Sequence, residues 1–355
     1  MKLFNIDLHI SVIADLKRIF TDVGHEVQDL CLSGHHWVMN RKKDCVKELS
    51  DDRYVKFIIA EKYDEFYEAH KKSLMPFDGF IATYPPIFAR LYNKWKKPII
   101  LHAPIRYDFP IHGSPELLTK WNNWIKETVA SGRLKLLGNS KYECEYMRIT
   151  GGHNPKHIPS LCEYFPKRDK RNRNGFVLYE QGNSLKKFVP EIKDRNEGLP
   201  HGWEWPQIHN FKAVIHLPYQ VSTMSVFEHY TANIPMIFPS PKFLADMYFC
   251  GKWKVLGQVA TSKRITKSIL PIQGDIDPNN YNSRETVEQL WLKNADFYDR
   301  EWMREILYFD NMEELKHICN TTDFELVSEK MRIHNEERKA KVYSLWKDVF
   351  NEIES

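Results

Sequence analysis

Residues 216–235 read His-Leu-Pro-Tyr-Gln-Val-Ser-Thr-Met-Ser-Val-Phe-Glu-His-Tyr-Thr-Ala-Asn-Ile-Pro, and they follow the apolar run Ala213-Val214-Ile215. The run 213–217 predicts a buried strand, 225–232 a helix, and 235–238 the next strand. A strand that feeds a helix through a short turn and is followed by another strand pairs in parallel, so this stretch predicts an α/β sheet. At the turn, unpaired backbone N–H groups and the helix dipole make a site for a diphosphate, with the hydroxyls of Ser222 and Thr223 as further donors. Glu228 lies about one turn inside the helix, where a carboxylate can accept both hydroxyls of a ribose. The plain alternative is a capped helix carrying one surface acid.

The alternation extends outward in both directions. Residues 2–6 form an apolar run, Ser11 is the expected cap of a helix to Phe20, Gly24 ends it, and 27–32 is a second strand. A helix over 61–73 leads to a strand at 77–83 and a Pro85-Pro86 turn, and 97–102 is the next strand. Ser114-Pro115-Glu116 marks cap, first position and first-turn acid of a helix to about Ala130. A strand at 134–137 and a helix at 141–149 complete the first half. PKRDKRNRNG, residues 166–175, is polar and almost free of apolar residues, and it predicts a boundary. Beyond it the pattern repeats: strand 176–179, a helix from Ser184, the stretch quoted above, strand 306–309, helix 312–318 and a long amphipathic helix over 324–350. The expected class is α/β, two Rossmann-like domains facing across a cleft. The first spans 1–166, the second spans 173–322, and 323–355 is a closing helix.

Composition narrows the classes further. The chain has 355 residues, 42% hydrophobic and 28% charged, with 51 basic against 47 acidic side chains. A formal charge of +4 is far from the basic stripe of a nucleic-acid binder, so no nucleic-acid partner is expected. Mean hydropathy is −0.53. Neither a signal peptide nor a transmembrane segment is readable, and the six cysteines show no C-x-x-C pair. A cytoplasmic protein with free thiols is the expectation. No G-x-G-x-x-G follows Ile6 and no G-x-x-x-x-G-K-[ST] occurs, which argues against nicotinamide dehydrogenases and P-loop enzymes.

The pattern S-T-M-S-x-x-E-x-x-x-A-x-x-I-P over 222–235 resembles the donor-site strand–helix–strand of GT-B glycosyltransferases. Gly24-His25-Glu26-Val27 resembles that family's first helix–strand junction. Gly138-Asn139-Ser140 with His157-Ile158-Pro159 resembles the end of its N-terminal domain. Some sequences of this kind occur in large DNA viruses of algae and protists. The resemblance implies transfer of a sugar from a nucleoside-diphosphate sugar to an acceptor hydroxyl, expected on a glycan. It also implies that Ser222, Thr223 and Met224 hold the diphosphate and Glu228 the ribose. Retaining members often carry a second glutamate eight positions earlier; here that position is Gln220, which points towards inversion.

An inverting transfer needs a base for the acceptor hydroxyl. In many inverting relatives it is a His or Asp after the first strand, where this chain has Asp7 and His9. His9 would take the proton, with Asp7 or another acid orienting the imidazole; two polar residues of a βα turn are the alternative. Gly182-Asn183-Ser184 follow the first strand of the second half, where glycine lets a phosphate approach and Lys186 would neutralise the departing diphosphate. Lys187, Lys263 and Arg264 are lesser candidates for that charge. Asp275-Ile276-Asp277 matches a metal-holding D-x-D, but it sits between Gly274 and Pro278 in a loop, so no metal or cofactor is expected. His35-His36-Trp37 reads as a loop without zinc spacing. The rival readings are a nucleotide-sugar epimerase on the same scaffold and a non-catalytic glycan-binding protein.

Overall fold

Strand and helix alternate along the chain, and the alternation builds two wholly parallel sheets. The computed structural model describes residues 1–49, 60–167, 173–199, 202, 204–259 and 267–355. Two compact units divide the chain. One comprises Met1–Ser160, Ser268–Asp275 and Val342–Ser355; the other comprises Leu161–Lys267 and Ile276–Lys341.

The first unit contains β1 (Lys2–Asp7), α1 (Ile10–Asp22), β2 (Glu26–Cys31), α2 (Ala60–Leu74), β3 (Gly79–Ala82) and β4 (Ile99–Ala103). It continues through α3 (Pro115–Ala130), β5 (Leu134–Gly138), α4 (Lys141–Gly151) and β6 (Lys156–His157). The sheet order is β2-β1-β3-β4-β5-β6, all neighbours parallel. Every residue of β3 and β4 is buried, as expected of a parallel sheet covered on both faces. Ser114 caps α3 as predicted, its hydroxyl accepting from the Leu117 N–H at 3.3 Å, with Pro115 in the first position. Ser11 does not cap α1. The cap position is His9, and Ser11 is buried inside the helix. Where the sequence suggested only a turn at Pro85-Pro86, a 3-10 helix runs over Pro86–Trp95 and stacks Tyr92 on Phe80 at 4.4 Å. That segment's apolar side chains cover the sheet, so packing rather than helix propensity holds it.

The second unit contains β7 (Phe176–Leu178), β8 (Ile192–Lys193), α5 (Arg195–Gly198), α6 (Trp205–Ile208), β9 (Ala213–Ile215) and α7 (Met224–Thr231). After these come β10 (Met236–Pro239), α8 (Pro241–Cys250), β11 (Leu307–Phe309), α9 (Met312–Thr321) and α10 (Phe324–Glu354). Its sheet order is β11-β10-β9-β7-β8, again parallel. The helix expected from Ser184 is absent. Phe188 and Val189 both donate to the Leu185 carbonyl, a single turn that Pro190 ends. The long closing helix is present as α10, and its residues are shared: those to Lys341 belong to the second unit, those from Val342 to the first. In the second unit, Asn335 and Arg338 bond to Asn233 and Thr231. In the first, Trp346 and Phe350 pack edge-on against Phe20 at 4.7 and 4.9 Å.

Both sheets share a consequence of strand order. The first two strands run one way across the sheet and the third returns to the other side of the first. The crevice beyond the carboxyl ends therefore opens between β1 and β3 in one unit and between β7 and β9 in the other, the position where open α/β sheets bind ligands.

Candidate functional sites

In the first unit, Asp7 ends β1 at this switch point and is wholly buried. Its Oδ1 accepts the backbone N–H of His9 at 2.6 Å and its Oδ2 accepts that of Tyr84, beyond β3, at 3.2 Å. Burial pushes the carboxyl well above the usual carboxylate range, against the pull of the backbone N–H groups of His9, Tyr84 and Leu8. Both oxygens thus serve backbone amides. Asp7 stitches the two strand ends together and does not orient the His9 imidazole. His9 Nδ1 is buried without a hydrogen-bond partner, and the ring meets Tyr84 edge-on at 5.8 Å. Burial, with His35 adding to it, lowers the His9 pKa to about 4. The imidazole is therefore neutral at pH 7, the state a proton acceptor needs. Asp15 is buried on α1.

In the second unit, Thr223 is the cap residue of α7 in extended conformation. Its hydroxyl bonds to that of Ser225 at 3.1 Å rather than to a helix N–H. Ser222 is 8% exposed, and its Oγ is buried without a partner. Met224 opens the helix. Glu228, 9% exposed, accepts the Tyr164 hydroxyl at 2.5 Å on Oε1. Tyr164 in turn faces Trp205, the first residue of α6, at 5.9 Å between ring centroids. Ser222, Thr223, Met224 and Glu228 are brought together by one turn and one helix. Gln220 is tied to its neighbours: its amide nitrogen donates to the Gln258 carbonyl at 3.0 Å and its oxygen accepts from the Val221 N–H.

The loop after β7 is tied to the segment that follows α8. Asn183 exchanges two bonds with the backbone of Lys254, at 3.1 and 2.9 Å. Gly182 has φ +84°, a conformation that favours glycine, and the Lys254 side chain lies where a Cβ would stand. Ser184 is exposed. Lys186 is paired with Glu197 on the surface. Lys187 lies over the Phe188 ring. Lys263 and Arg264 lie outside the described residues. Lys254 is the cation this loop holds. Beside it a groove of about 650 Å³ is walled by Tyr219, Tyr248, Phe249, Trp253 and Tyr281.

Sequence reasoning missed a group beneath the same loop. Glu180, two residues beyond β7, bonds to His216 Nδ1 at 2.8 Å with Oε1 and to the Leu217 N–H at 2.8 Å with Oε2. His216 Nε2 meets His229 Nδ1 at 3.2 Å. Only the run of polar residues at successive strand ends hinted at it. Tyr164, Trp205 and Lys254 carried no signal.

Asp275-Ile276-Asp277 lies in a loop, where Asp277 Oδ1 accepts the Asn279 N–H. Among the described residues no group of three or more His, Cys, Asp and Glu is placed to hold a metal ion. His36 Nδ1 contacts the Arg41 carbonyl in the 3-10 helix His36–Met39. None of the six cysteines forms a disulfide. No helix of the described residues is long and apolar enough to cross a membrane.

No protein-family profile matches the chain. No curated protein sequence matches it. Its backbone is similar to several solved structures. The spinosyn rhamnosyltransferase SpnG complexed with thymidine diphosphate shares 10% identity over 97% of this chain and 100% of that one, with a TM-score of 0.41. The glycosyltransferase SnogD from Streptomyces nogalater shares 11% over 98% of each chain, TM-score 0.45. Anabaena Alr3699/HepE in complex with UDP and glucose shares 10% over 99% of each, TM-score 0.48. The likeness to viral sequences finds no support among these structures, and at such identities no residue can be carried across from them.

Proposed function

We propose that this chain transfers a glycosyl group from a nucleoside-diphosphate sugar to an acceptor hydroxyl, expected on a glycan. The observation that carries the reading is the buried Ser222 hydroxyl without a partner, just before the N-terminus of α7 at the switch point of the second sheet. A buried unpartnered hydroxyl costs about 1–3 kcal/mol, and an anion at the helix N-terminus relieves that cost while meeting the dipole. Glu228, one turn further, takes the ribose. Half-buried Tyr164 bonds to its carboxylate and packs against Trp205, and such aromatic faces suit a base. Lys254 replaces Lys186 as the cation that neutralises the departing diphosphate. In the first unit, His9 is the acceptor's base, neutral and unpartnered, and Asp7 holds the strand ends that present it.

Inversion and independence of metal complete the proposal. The first is favoured by Gln220 in place of an acid, the second by the use of a helix terminus and a lysine against the diphosphate. The test is calorimetric titration with uridine, guanosine and thymidine diphosphates, followed by product analysis with the sugar of whichever binds. Binding of at least one diphosphate, and turnover only when a hydroxyl acceptor is added, is the expected result. Failure of all three to bind would sink the reading.

A further inference from the structure

We infer that Glu180, His216 and His229 form a buried relay in which Glu180 sets the tautomers of both histidines and thereby positions the loop 217–223 ahead of α7. Its role in ligand binding rests on the nucleotide reading above; its geometry does not. Glu180 and His216 stand at the carboxyl ends of neighbouring strands, β7 and β9, which pair Leu178 with Ile215. His229 follows Glu228 on α7. Three elements around the switch point are thus joined by side chains that are 8%, 0% and 0% exposed.

The proton arrangement follows from counting donors. An ionised carboxylate only accepts. Glu180 Oε2 takes the Leu217 N–H, so Oε1 must take a proton from His216, which places hydrogen on His216 Nδ1. The Nε2 of a neutral His216 is then an acceptor, and the contact at 3.2 Å requires His229 to carry its hydrogen on Nδ1 as well. His229 Nε2 is left as a bare acceptor, buried without a partner, with Tyr179 and Phe165 edge-on at 4.7 and 6.3 Å. The reverse arrangement would leave an N–H at that position with nothing to accept it, and orphaned buried N–H groups are the rarer defect. Burial, with His216 beside it, holds the His229 pKa well below the usual imidazole value.

Glu180→Gln discriminates sharply. The Leu217 N–H demands the one remaining oxygen, so the amide nitrogen must face His216 Nδ1. That nitrogen must lose its hydrogen, His216 becomes an Nε2–H donor, and His229 is driven to Nε2–H in turn. One atom exchanged at Glu180 reverses the polarity of the whole relay and places an orphaned donor beneath α7.

Long-range 1H–15N spectra of the full chain at neutral pH read both tautomers directly. The wild type is expected to show His216 and His229 protonated on Nδ1 only, and Glu180→Gln to show both on Nε2. The variant's affinity for the nucleoside diphosphate that the wild type binds should fall roughly tenfold or more. Nε2 protonation of either histidine in the wild type overturns the relay, and this spectrum needs no variant to fold. Reversed tautomers with affinity within about twofold of wild type overturn the positioning role. If none of uridine, guanosine or thymidine diphosphate binds the wild type, the nucleotide reading fails while the spectrum still decides the relay.

Discussion

At the scale of single residues, His9 and Glu228 carry the sharpest consequences. Because burial lowers the His9 pKa to about 4, the base form persists on acidification well past the ordinary imidazole value. The acid limb of kcat/KM should therefore fall near 4 rather than near 6.5, and a limb at the ordinary value would remove His9 as the base. The linkage has the same direction for folding. Between about 6.5 and 4 the unfolded chain binds this proton and the folded one does not, so this group's contribution to stability declines as pH falls through that window. Asp7 acts oppositely: its pKa is raised, so the folded state binds the extra proton and stability declines as pH rises through the shifted range. His9→Ala should lower kcat by about a hundredfold or more with nucleotide affinity unchanged, measured by initial rates beside calorimetry. For Glu228, the bond from Tyr164 makes Glu228→Gln the informative change. It keeps the Tyr164 partner and the volume but removes the charge, so Tm should hold while nucleotide affinity drops by roughly 1.5–3 kcal/mol. Unaltered affinity would take Glu228 out of the site.

At the scale of elements, α7 separates what stabilises a helix from what binds an anion. Ser225 lies in its first turn and is half-buried, bonded to Thr223. Ser225→Asp puts a carboxylate where the dipole welcomes it, contributing about 0.3–1 kcal/mol to the helix, yet directly against a bound diphosphate. Stability should be unchanged or raised while diphosphate affinity falls about tenfold. Parallel gains in both would show that no phosphate binds there. Much at this scale was legible beforehand. The cap Ser114, accepting the N–H three residues on, and the run 213–235 are local patterns, and local patterns follow from side-chain chemistry over a few positions. The helix expected from Ser184 failed because Pro190 stops it after one turn, leaving too few hydrogen bonds to offset nucleation.

At the scale of the molecule, α10 is shared between units, and its last turns complete the core of the first. Trp346 is fully buried there, against Phe20 and His102. Trp346→Ala should destabilise the first unit by about 3–5 kcal/mol through the cavity it leaves. Urea unfolding followed by circular dichroism would show this as an earlier transition; an unshifted curve would mean that the end of α10 is not part of that core. On the proposed reading, in which helix terminus and lysine meet the diphosphate, catalysis as a whole should survive excess EDTA. Loss in chelator restored by manganese or magnesium would replace that account with a metal-assisted one.

The sequence by itself determined the alternation of strands and helices, hence two parallel sheets, and the turn that leads from Val221 through Ser222 to Glu228. These depend on periodicity, capping and breakers within short windows. Only the tertiary structure decided which polar groups meet. Glu180 reaches His216 across 36 positions, Tyr164 reaches Glu228 across 64, and Asn183 reaches Lys254 across 71. Asp7 spends both oxygens on amides of His9 and Tyr84, and Lys186 is drawn to Glu197. Such pairings are set by strand order and by the crossovers that return each strand beside an earlier one. A carboxylate or a lysine then takes the partner that order brings within reach, and no spacing along the chain encodes it.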